Sequence, residues 1–430
     1  MYSILLISDN GVSTGFGRIA DNIGIRLTQR GLNVVAASFA YDGLLPPTMD
    51  GQRLPYHVAT LQIKRGMGTW LEDVVSLVNA TQPDIIMVCQ DAPYGEQVRN
   101  ANIDWSQHKF VMITPVDGVP IEPNWVKVMK EADGALTISE FGVNAFRDAG
   151  VQVGLCRPGI APNDFFELSP QQKTELRAKL GVPQDAFILG TMAQNQGRKA
   201  IPLMLEGFFE FAKDKNALYL LDMDEASPVG WNIKHTCQQH NWDVSKLIFR
   251  SDCLRLGITE LRDRYNLLDA HAVLAHREGY GLPLVEAQAC GVVSVAMDYC
   301  SGTEIVGDGK GLLIPAMDRK LYSTWGGAMD CIPDIPNFTA QLTEIYNNPA
   351  KRNVIADAGK TWARQQTWDL ATDNVHRIIM DVMTPPQPQV IQPQSQPPVS
   401  PPPPVTPTVI DVRQNGNNGA NDVIVLKEGD

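Results

Sequence analysis

Short apolar runs alternate along this chain with longer stretches in which apolar residues recur every three or four positions. Such runs between turn-forming residues are typical of buried strands, and the three-to-four spacing is typical of amphipathic helices. The first half contains the predicted strands YSILLIS, NVVAASFAY, DIIMVCQ, KFVMITPVD and GALTIS. The second half contains AFILGTMA, ALYLLDMD, KLIFRSD, HAVLAH, VVSVAMD and GLLIPA. The alternation predicts parallel sheets covered by helices, the first helix running from about residue 17 to 30.

The two series of strands predict an α/β fold class, with two Rossmann-like, doubly wound domains facing each other across a cleft. A segment rich in turn formers, 157–172, separates the two series. We therefore predict an N-terminal domain over 1–162 and a C-terminal domain over 163–366. Ligands of open α/β sheets bind beyond the carboxyl ends of the strands, so the cleft is the expected binding site.

The end of the chain has a different composition. Eleven of the thirty prolines fall between residues 385 and 407. Prolines at this density do not build a packed core, because they lack the backbone donor and favour extended conformations. We predict that residues 384–430 are a disordered tail, which a protein partner could bind.

The charge and the cysteines limit the classes of function. The 430 residues carry a formal net charge of −12, which provides no basic field for general binding to nucleic acid or acidic lipid. The seven cysteines form no CxxC pair and no disulfide pattern, as expected in a reducing compartment. The sequence predicts no signal peptide and no membrane span. We therefore expect a cytoplasmic protein that takes a small anionic ligand.

The stretch HREGYGLPLVEAQACGVVSVAMD, residues 276–298, carries the most specific pattern. Glu278 and Glu286 lie eight positions apart, on either side of a glycine-aromatic-glycine turn. Pro283 suits the first turn of a short helix. A carboxylate near this helix start can accept hydrogen bonds from a ribose diol, while the exposed amides of the turn face an anion. Glu278, beside the turn, would face a sugar.

Two adjacent bases point to an anion in the same domain. Arg198 and Lys199, in NQGRK, are predicted at the start of an amphipathic helix. Natural helices favour acidic residues there, because the helix dipole is positive at that end. Two bases at this position therefore indicate an anionic ligand.

These motifs resemble the retaining, nucleotide-sugar-dependent glycosyltransferases of family 4, which have the two-domain GT-B fold. The resemblance covers residues 1 to about 383 and rests on motifs in the expected order: TGFGRIADNIGIRLTQRGLNV, ADGALTISEFGVNAF, RPGI, NQGRK, the 276–298 stretch and SGTEIV. It implies that the N-terminal domain takes the acceptor and the C-terminal domain binds the nucleotide sugar, and that a final helix, 367–383, crosses back onto the N-terminal domain. It also implies transfer of a sugar with retention of anomeric configuration.

The resemblance assigns roles to particular residues. Lys199 would hold the diphosphate, and Glu286 the ribose. Donor sugar and diphosphate would also contact Glu278 and the backbone of the four residues that follow it: Gly279, Tyr280, Gly281 and Leu282. Charge that grows on the leaving diphosphate would be met by side chains and amides of Arg198, Lys199, Gly15, Phe16, Gly17, Gly302 and Thr303.

The sequence departs from the family pattern at two positions. Ala193 stands where the family usually has an arginine six residues before the phosphate-binding lysine, so Arg198 is the candidate to replace that cation. Asp117 is the nearest match to a histidine that often follows the corresponding N-terminal strand. It could accept a hydrogen bond from a sugar or acceptor hydroxyl, although an aspartate after a strand is also an ordinary turn former.

The predicted function is transfer of a sugar from a nucleoside diphosphate sugar, such as a UDP-sugar, to a hydroxyl acceptor, without a metal or a tightly bound cofactor. The acceptor stays open among glycans, lipids, proteins, small molecules and hydroxylated DNA bases, the last being disfavoured by the acidic charge. One alternative is a non-catalytic sugar-nucleotide-binding protein.

Two further alternatives rest on short motifs. GFGRIA, with Asp42 beyond the second strand, imitates the fingerprint of an NAD-dependent oxidoreductase. Six residues separate the first strand from Gly15, however, whereas that fingerprint needs a tight turn directly after the strand. Asp222 and Asp224 form a D-x-D of the kind that binds metal in the other glycosyltransferase fold.

Overall fold

A computed structural model of the chain describes residues 1–49, 51–61, 69–225, 227–250, 256–322 and 327–384, without the side chains of 318–322. Residues 1–385 fall into one compact unit. The predicted disordered tail, 384–430, lies outside the described residues apart from residue 384.

The first half of the chain builds a seven-stranded parallel sheet. In chain order, its strands and a two-stranded ribbon (β3, β4) are β1 (Ser3–Ser8), β2 (Asn33–Ser38), β3 (Thr48–Met49), β4 (Gln52–Arg53), β5 (His57–Thr60), β6 (Ile85–Cys89), β7 (Lys109–Thr114), β8 (Gly134–Thr137) and β9 (Gly154–Leu155). The strand order is β5-β2-β1-β6-β7-β8-β9, so the chain winds outward in both directions from β1 and β6. The five strands predicted from apolar runs are confirmed, and β5 and β9 are additional short edge strands.

The second half builds a six-stranded parallel sheet and a small antiparallel ribbon. The strands are β10 (Phe187–Met192), β11 (Ala217–Asp222), β12 (Leu247–Arg250), β13 (Ala270–Val273), β14 (Val293–Met297) and β15 (Leu312–Ile314), with β16 (Ala316–Tyr322) and β17 (Met329–Pro333) in the ribbon. The sheet order is β12-β11-β10-β13-β14-β15. All six predicted strands of this half are present.

Helices connect the strands, as parallel pairing requires. They are α1 (Gly15–Gln29), α2 (Trp70–Thr81), α3 (Ala92–Arg99), α4 (Pro123–Glu131), α5 (Glu140–Asp148), α6 (Pro170–Leu180), α7 (Ile201–Phe211), α8 (Ile233–His240), α9 (Ile258–Asn266), α10 (Leu282–Ala289), α11 (Ser301–Val306), α12 (Ile335–Asn347), α13 (Pro349–Ala363) and α14 (Trp368–Met383). The first of these starts two residues earlier than expected, because Thr14 caps it by accepting from the Gly17 N–H.

The core explains why the central strands read as continuous apolar runs. Four consecutive residues of β1 are at most 1% exposed, because helices cover both faces of the sheet: Ile4, Leu5, Leu6 and Ile7. Burying each such side chain contributes about 1.5–3 kcal/mol. The loops at the strand ends are therefore anchored on closely packed sheets.

The chain passes between the two halves at two adjacent places. On the first passage, the Ile160 N–H donates to the Gln366 carbonyl at 2.8 Å, on the second passage. A Cβ on Gly159 would lie 2.2 Å from the Thr367 carbonyl carbon, so the close approach requires glycine. Beyond this point, α14 packs on β8 and β9 of the first sheet.

Candidate functional site

A cleft of about 600 Å³ lies where the carboxyl ends of the two sheets meet. Loops after β1, β6, β7 and β8 line one side, and loops after β10 and β13 line the other. The lining residues are Asp9, Thr14, Gly15, Phe16, Ile19, Asp91, Ala92, Pro115, Asp117, Trp125, Ile138, Ala193, Gln194, Gln196, Arg198, Lys199, Arg277, Glu278, Gly279, Tyr280, Gly281, Leu282 and Pro283. The cleft is therefore in the position expected for ligand binding in open α/β sheets.

Three charged residues predicted from the sequence meet in this cleft. The Lys199 ammonium donates to the Glu278 carboxylate, and Arg198 Nη1 lies 3.4 Å from Glu278 Oε2. Arg198 Nη1 also donates to the Arg277 carbonyl at 2.9 Å. Burial alone would raise the pKa of Glu278, but the two cations outweigh burial and lower that pKa to about 2. The carboxylate is thus ionised at neutral pH.

The local chain conformation around the two cations differs from the predicted one. Arg198 and Lys199 lie in a 3₁₀ turn, Gly197–Lys199, one step before α7 and not within its first turn as predicted. Ala200, with φ of +52°, separates the turn from the helix. In a regular helix the two side chains would point about 100° apart. In the 3₁₀ turn the angle is about 120°, so the two cations reach Glu278 from different directions, with Arg198 at the longer distance of 3.4 Å.

The glycine turn after Glu278 is fixed on both sides. A Cβ on Gly279 would lie 2.8 Å from the Pro115 Cβ, so only glycine fits against the first half of the chain. Gly281 has φ of +100°, which L side chains rarely adopt. Ser301 Oγ lies 2.6 Å from the Tyr280 carbonyl and 3.0 Å from the Glu278 carbonyl. The turn therefore presents its backbone to the cleft in one defined conformation.

Glu286 is placed differently from Glu278. It is the fifth residue of α10, one turn beyond Leu282, is 2% exposed and is not among the residues that line the cleft. Its carboxylate accepts from Arg18 Nη1 and, at 2.8 Å, from the Tyr265 hydroxyl. The structure therefore pairs the predicted ribose ligand with an arginine from α1, 268 residues away in sequence.

Of the loop residues predicted to meet the charge of the diphosphate, some line the cleft and others do not. Gly15 and Phe16 line the cleft, whereas Gly17 does not. A Cβ on Gly17 would lie 2.1 Å from the Val12 carbonyl oxygen, so this glycine serves close packing. Gly302 and Thr303 also lie outside the lining, and the Gly302 N–H donates to the Tyr299 carbonyl at 3.2 Å. The structure gives no support for these two residues as anion ligands.

Asp117, in the loop after β7, also lines the cleft. Both of its carboxylate oxygens lie 3.3 Å from Arg277 Nη1. Arg277, 7% exposed, also pairs with Asp330. Arg277 is thus a charged cleft residue that sequence reasoning missed, although it stands inside the 276–298 stretch.

Two further carboxylates were missed, Asp9 and Asp91. Asp9 directly follows β1, and Asp91 lies two residues beyond β6, so both occupy the strand ends where ligands bind. Their position after predicted strands is visible in the sequence and could have identified both as candidate cleft residues. Burial raises the pKa of both groups, that of Asp91 to about 6, with the neighbouring Asp117 as the second cause for Asp91.

The motifs behind the alternative functions lie elsewhere. Asp222 is fully buried, 3.9 Å from Arg264, and neither Asp222 nor Asp224 lines the cleft. Asp42 is exposed and accepts from the Leu44 N–H at 3.0 Å. Within the described ranges, no three His, Cys, Asp or Glu side chains are arranged to hold a metal ion, and no helix is long and apolar enough to cross a membrane.

Residues 246–323 match the family of glycosyl transferases group 1. A D-inositol 3-phosphate glycosyltransferase of Saccharomonospora viridis is 26% identical over 53% of this chain and 49% of its own length. One of Geodermatophilus obscurus is 30% identical over 39% of this chain and 37% of its own. The chain thus spans about half the length, or less, of these curated relatives.

Solved structures match over most of the chain. Sucrose-phosphate synthase from Thermosynechococcus elongatus has a TM-score of 0.71 at 16% identity, covering 89% of this chain and 99% of that one. HepE of Anabaena, solved with UDP and glucose, has a TM-score of 0.69 at 17% identity, covering 89% and 100%. These likenesses confirm the predicted GT-B fold of two Rossmann-like α/β domains.

Proposed function

We propose that this protein is a glycosyltransferase of family 4, which transfers a sugar from a nucleoside diphosphate sugar to a hydroxyl with retention of configuration. The observation that carries the proposal is the convergence of Lys199, Arg198 and Glu278 beside a glycine turn, in the cleft between the sheets. The group 1 match supports it, because its range contains Glu278 and the turn. HepE, solved with UDP and glucose in the same fold, supports UDP as the nucleotide.

The charge balance of the cluster suits a diphosphate. Two cations share one carboxylate, so one positive charge is not compensated within the cluster. A diphosphate would compete with Glu278 for Lys199 and Arg198, because both cations then gain charge-assisted hydrogen bonds to phosphate oxygens. Glu278, ionised at neutral pH, would then accept from the hydroxyls of the donor sugar.

The same groups would stabilise the reaction. The bond from the anomeric carbon to the diphosphate breaks, so negative charge grows on the diphosphate and positive charge on the sugar ring. Lys199 and Arg198 would meet the negative charge, and Glu278 would stabilise the ring. The acceptor oxygen bonds to the anomeric carbon on the face that the diphosphate leaves, and its proton passes to a diphosphate oxygen. No side chain is required as a covalent nucleophile.

The role of Glu286 in ribose binding stays a prediction. For the ribose diol to reach it, the bond from Arg18 or from Tyr265 must give way. The carboxylate would keep its number of hydrogen bonds in such an exchange, because a ribose hydroxyl can donate in place of the tyrosine hydroxyl. Asp117, held by Arg277, is proposed to accept from an acceptor or sugar hydroxyl.

The test is a screen of UDP-, GDP- and ADP-sugars for release of the nucleoside diphosphate, with and without acceptor, followed by NMR of the product's anomeric carbon. We expect release from a UDP-sugar and a product with the donor's configuration. An inverted product would exclude retention. Binding of UDP-sugars with no turnover, across acceptors of all the classes named above, would favour the non-catalytic alternative, for which Ala193 in the cleft, in place of a cation, is the supporting observation.

A further inference from the structure

The wall of the cleft differs in charge between its two sides. The lining residues from the first half of the chain include three carboxylates, Asp9, Asp91 and Asp117, and no lysine, arginine or histidine. The lining residues from the second half include three cations, Arg198, Lys199 and Arg277, and one carboxylate, Glu278. An anionic donor group is therefore favoured on the side of the second half only, and the side of the first half, where the acceptor is expected, is negative.

The acidic side also offers apolar surface. Phe16 and Trp125 are partly exposed there, beside Ile19 and Ile138. Aromatic faces carry partial negative charge and pack against the C–H faces of sugar rings, while carboxylates accept from sugar hydroxyls. The combination suits a ring that carries hydroxyls and no negative charge.

Asp91 is the carboxylate with free hydrogen-bonding capacity. Asp9 accepts from Thr14 Oγ1 at 2.9 Å and from Gln90 Nε2 at 3.1 Å, and Asp117 is paired with Arg277. Within the described part of the chain, no side chain donates a hydrogen bond to the Asp91 carboxylate. Burial first and the neighbouring Asp117 second raise its pKa to about 6, and Arg198, which acts in the opposite direction, does not offset them, so further negative charge at this place is unfavourable.

We infer that the acceptor is an uncharged or cationic sugar or polyol whose hydroxyl donates to Asp91, and that acceptors bearing a phosphate near this wall are rejected. The inference rests on the proposed function, since it concerns the second substrate of the same cleft. It sets the chain apart from the matched relatives, whose names contain D-inositol 3-phosphate. Repulsion between a phosphate and a partly buried carboxylate, at contact separations, weakens binding by about tenfold or more.

The experiment uses matched acceptor pairs, each with and without phosphate: myo-inositol and inositol 3-phosphate, glucose and glucose 6-phosphate, and glucosamine and glucosamine 6-phosphate. Binding to the full chain with saturating UDP is measured by ligand-detected NMR, and stimulation of nucleotide release from the donor is measured in parallel. We expect at least one uncharged or cationic member to bind, and its phosphorylated partner to bind about tenfold more weakly or not at all. Equal binding, preference for the phosphorylated member, or no binding of any member would overturn the inference.

Variants connect the selectivity to Asp91. D91N should weaken the preferred acceptor about tenfold, because a charge-assisted hydrogen bond is lost, and D91K should shift the preference toward phosphorylated members. Glu72→Gln, an exposed acid on α2 outside the cleft, is the control and should change neither. Unaltered selectivity in D91N and D91K would also overturn the inference. UDP binding and donor hydrolysis without acceptor are measured on the parent protein and on every variant. Their absence in the parent protein would refute the proposed function itself.

Discussion

Replacing Lys199 by Met should lower both the stability and the turnover of the protein. The lysine side chain is 10% exposed and its partner Glu278 is 17% exposed. Removing one member of a buried ion pair leaves the other charge uncompensated, which costs about 3–5 kcal/mol. Arg198 remains 3.4 Å from Glu278 Oε2 in the variant, so we expect the lower end, about 3 kcal/mol.

Arg198→Ala should behave differently. The arginine is 33% exposed and its contact with Glu278 is longer, so its removal should cost less than about 1 kcal/mol of stability. If both cations stabilise the leaving diphosphate, each single variant should still lose more than about tenfold in turnover, a rise of about 1.4 kcal/mol in the barrier.

A double variant separates structure from chemistry. K199M combined with E278Q removes both charges, so most of the stability lost in K199M should return. Turnover should stay low, because neither the phosphate contact nor the sugar contact is restored. The matched control is Lys213→Met, which removes an exposed lysine paired with Glu210 and should change stability by less than about 0.5 kcal/mol.

The assays are nucleotide release at neutral pH and thermal melting repeated from neutral pH down to about pH 2, the range over which Glu278 titrates. The folded-state pKa of Glu278 is about 2, below its usual value, so this group contributes stability above that usual value and loses it as pH falls toward 2. K199M should flatten this acid limb. If the double variant regains stability and also turns over at the parental rate, the cluster is only a structural ion pair and the proposed chemistry is refuted.

Glu286→Ala should weaken UDP binding by about 1.5–3 kcal/mol if the ribose uses this carboxylate, whereas Tyr265→Phe, which keeps the carboxylate, should not weaken it. Calorimetry measures the affinities, and equal UDP affinity in the parent and both variants would remove Glu286 from the site. Glu304, which accepts from the Glu140 N–H at 2.7 Å, has a pKa raised to about 7 by burial. The folded state therefore binds a proton between pH 4.5 and 7 that the unfolded state does not. The melting temperature should fall as pH rises across this range and through 7, and it should fall less in Glu304→Gln; identical pH profiles of the two proteins would contradict this. Gly159→Ala should lower the melting temperature, since its Cβ would clash with backbone, while Gly257→Ser, at a site with open space and a φ of −66°, should cost less; the reverse order would contradict the packing argument. Turnover should persist with a chelator, because cationic side chains meet the diphosphate charge; loss of turnover that manganese restores would favour the D-x-D motif instead.

The interdomain contacts explain where prediction from sequence stopped. Glu278, Lys199 and Arg198 were identified because each stands beside a glycine turn or a helix start, where local backbone rules assign a purpose. Arg18 was not, since its contact with Glu286 joins residues 268 positions apart. Likewise, the acidic wall combines Asp9, Asp91 and Asp117 from three separate loops, which become neighbours only when the sheet forms.

The sequence by itself determined the strands and the glycine turn. Strands covered on both faces must be apolar at nearly every position, and positive φ at Gly281 requires glycine whatever surrounds it. Tertiary structure decided which carboxylates face the cleft and which are paired elsewhere. Glu286 carries the same charge as Glu278 and lies in the same motif, yet it is bound to Arg18 and Tyr265. Charged side chains take partners by distance in space, and that distance is set by how the two sheets pack.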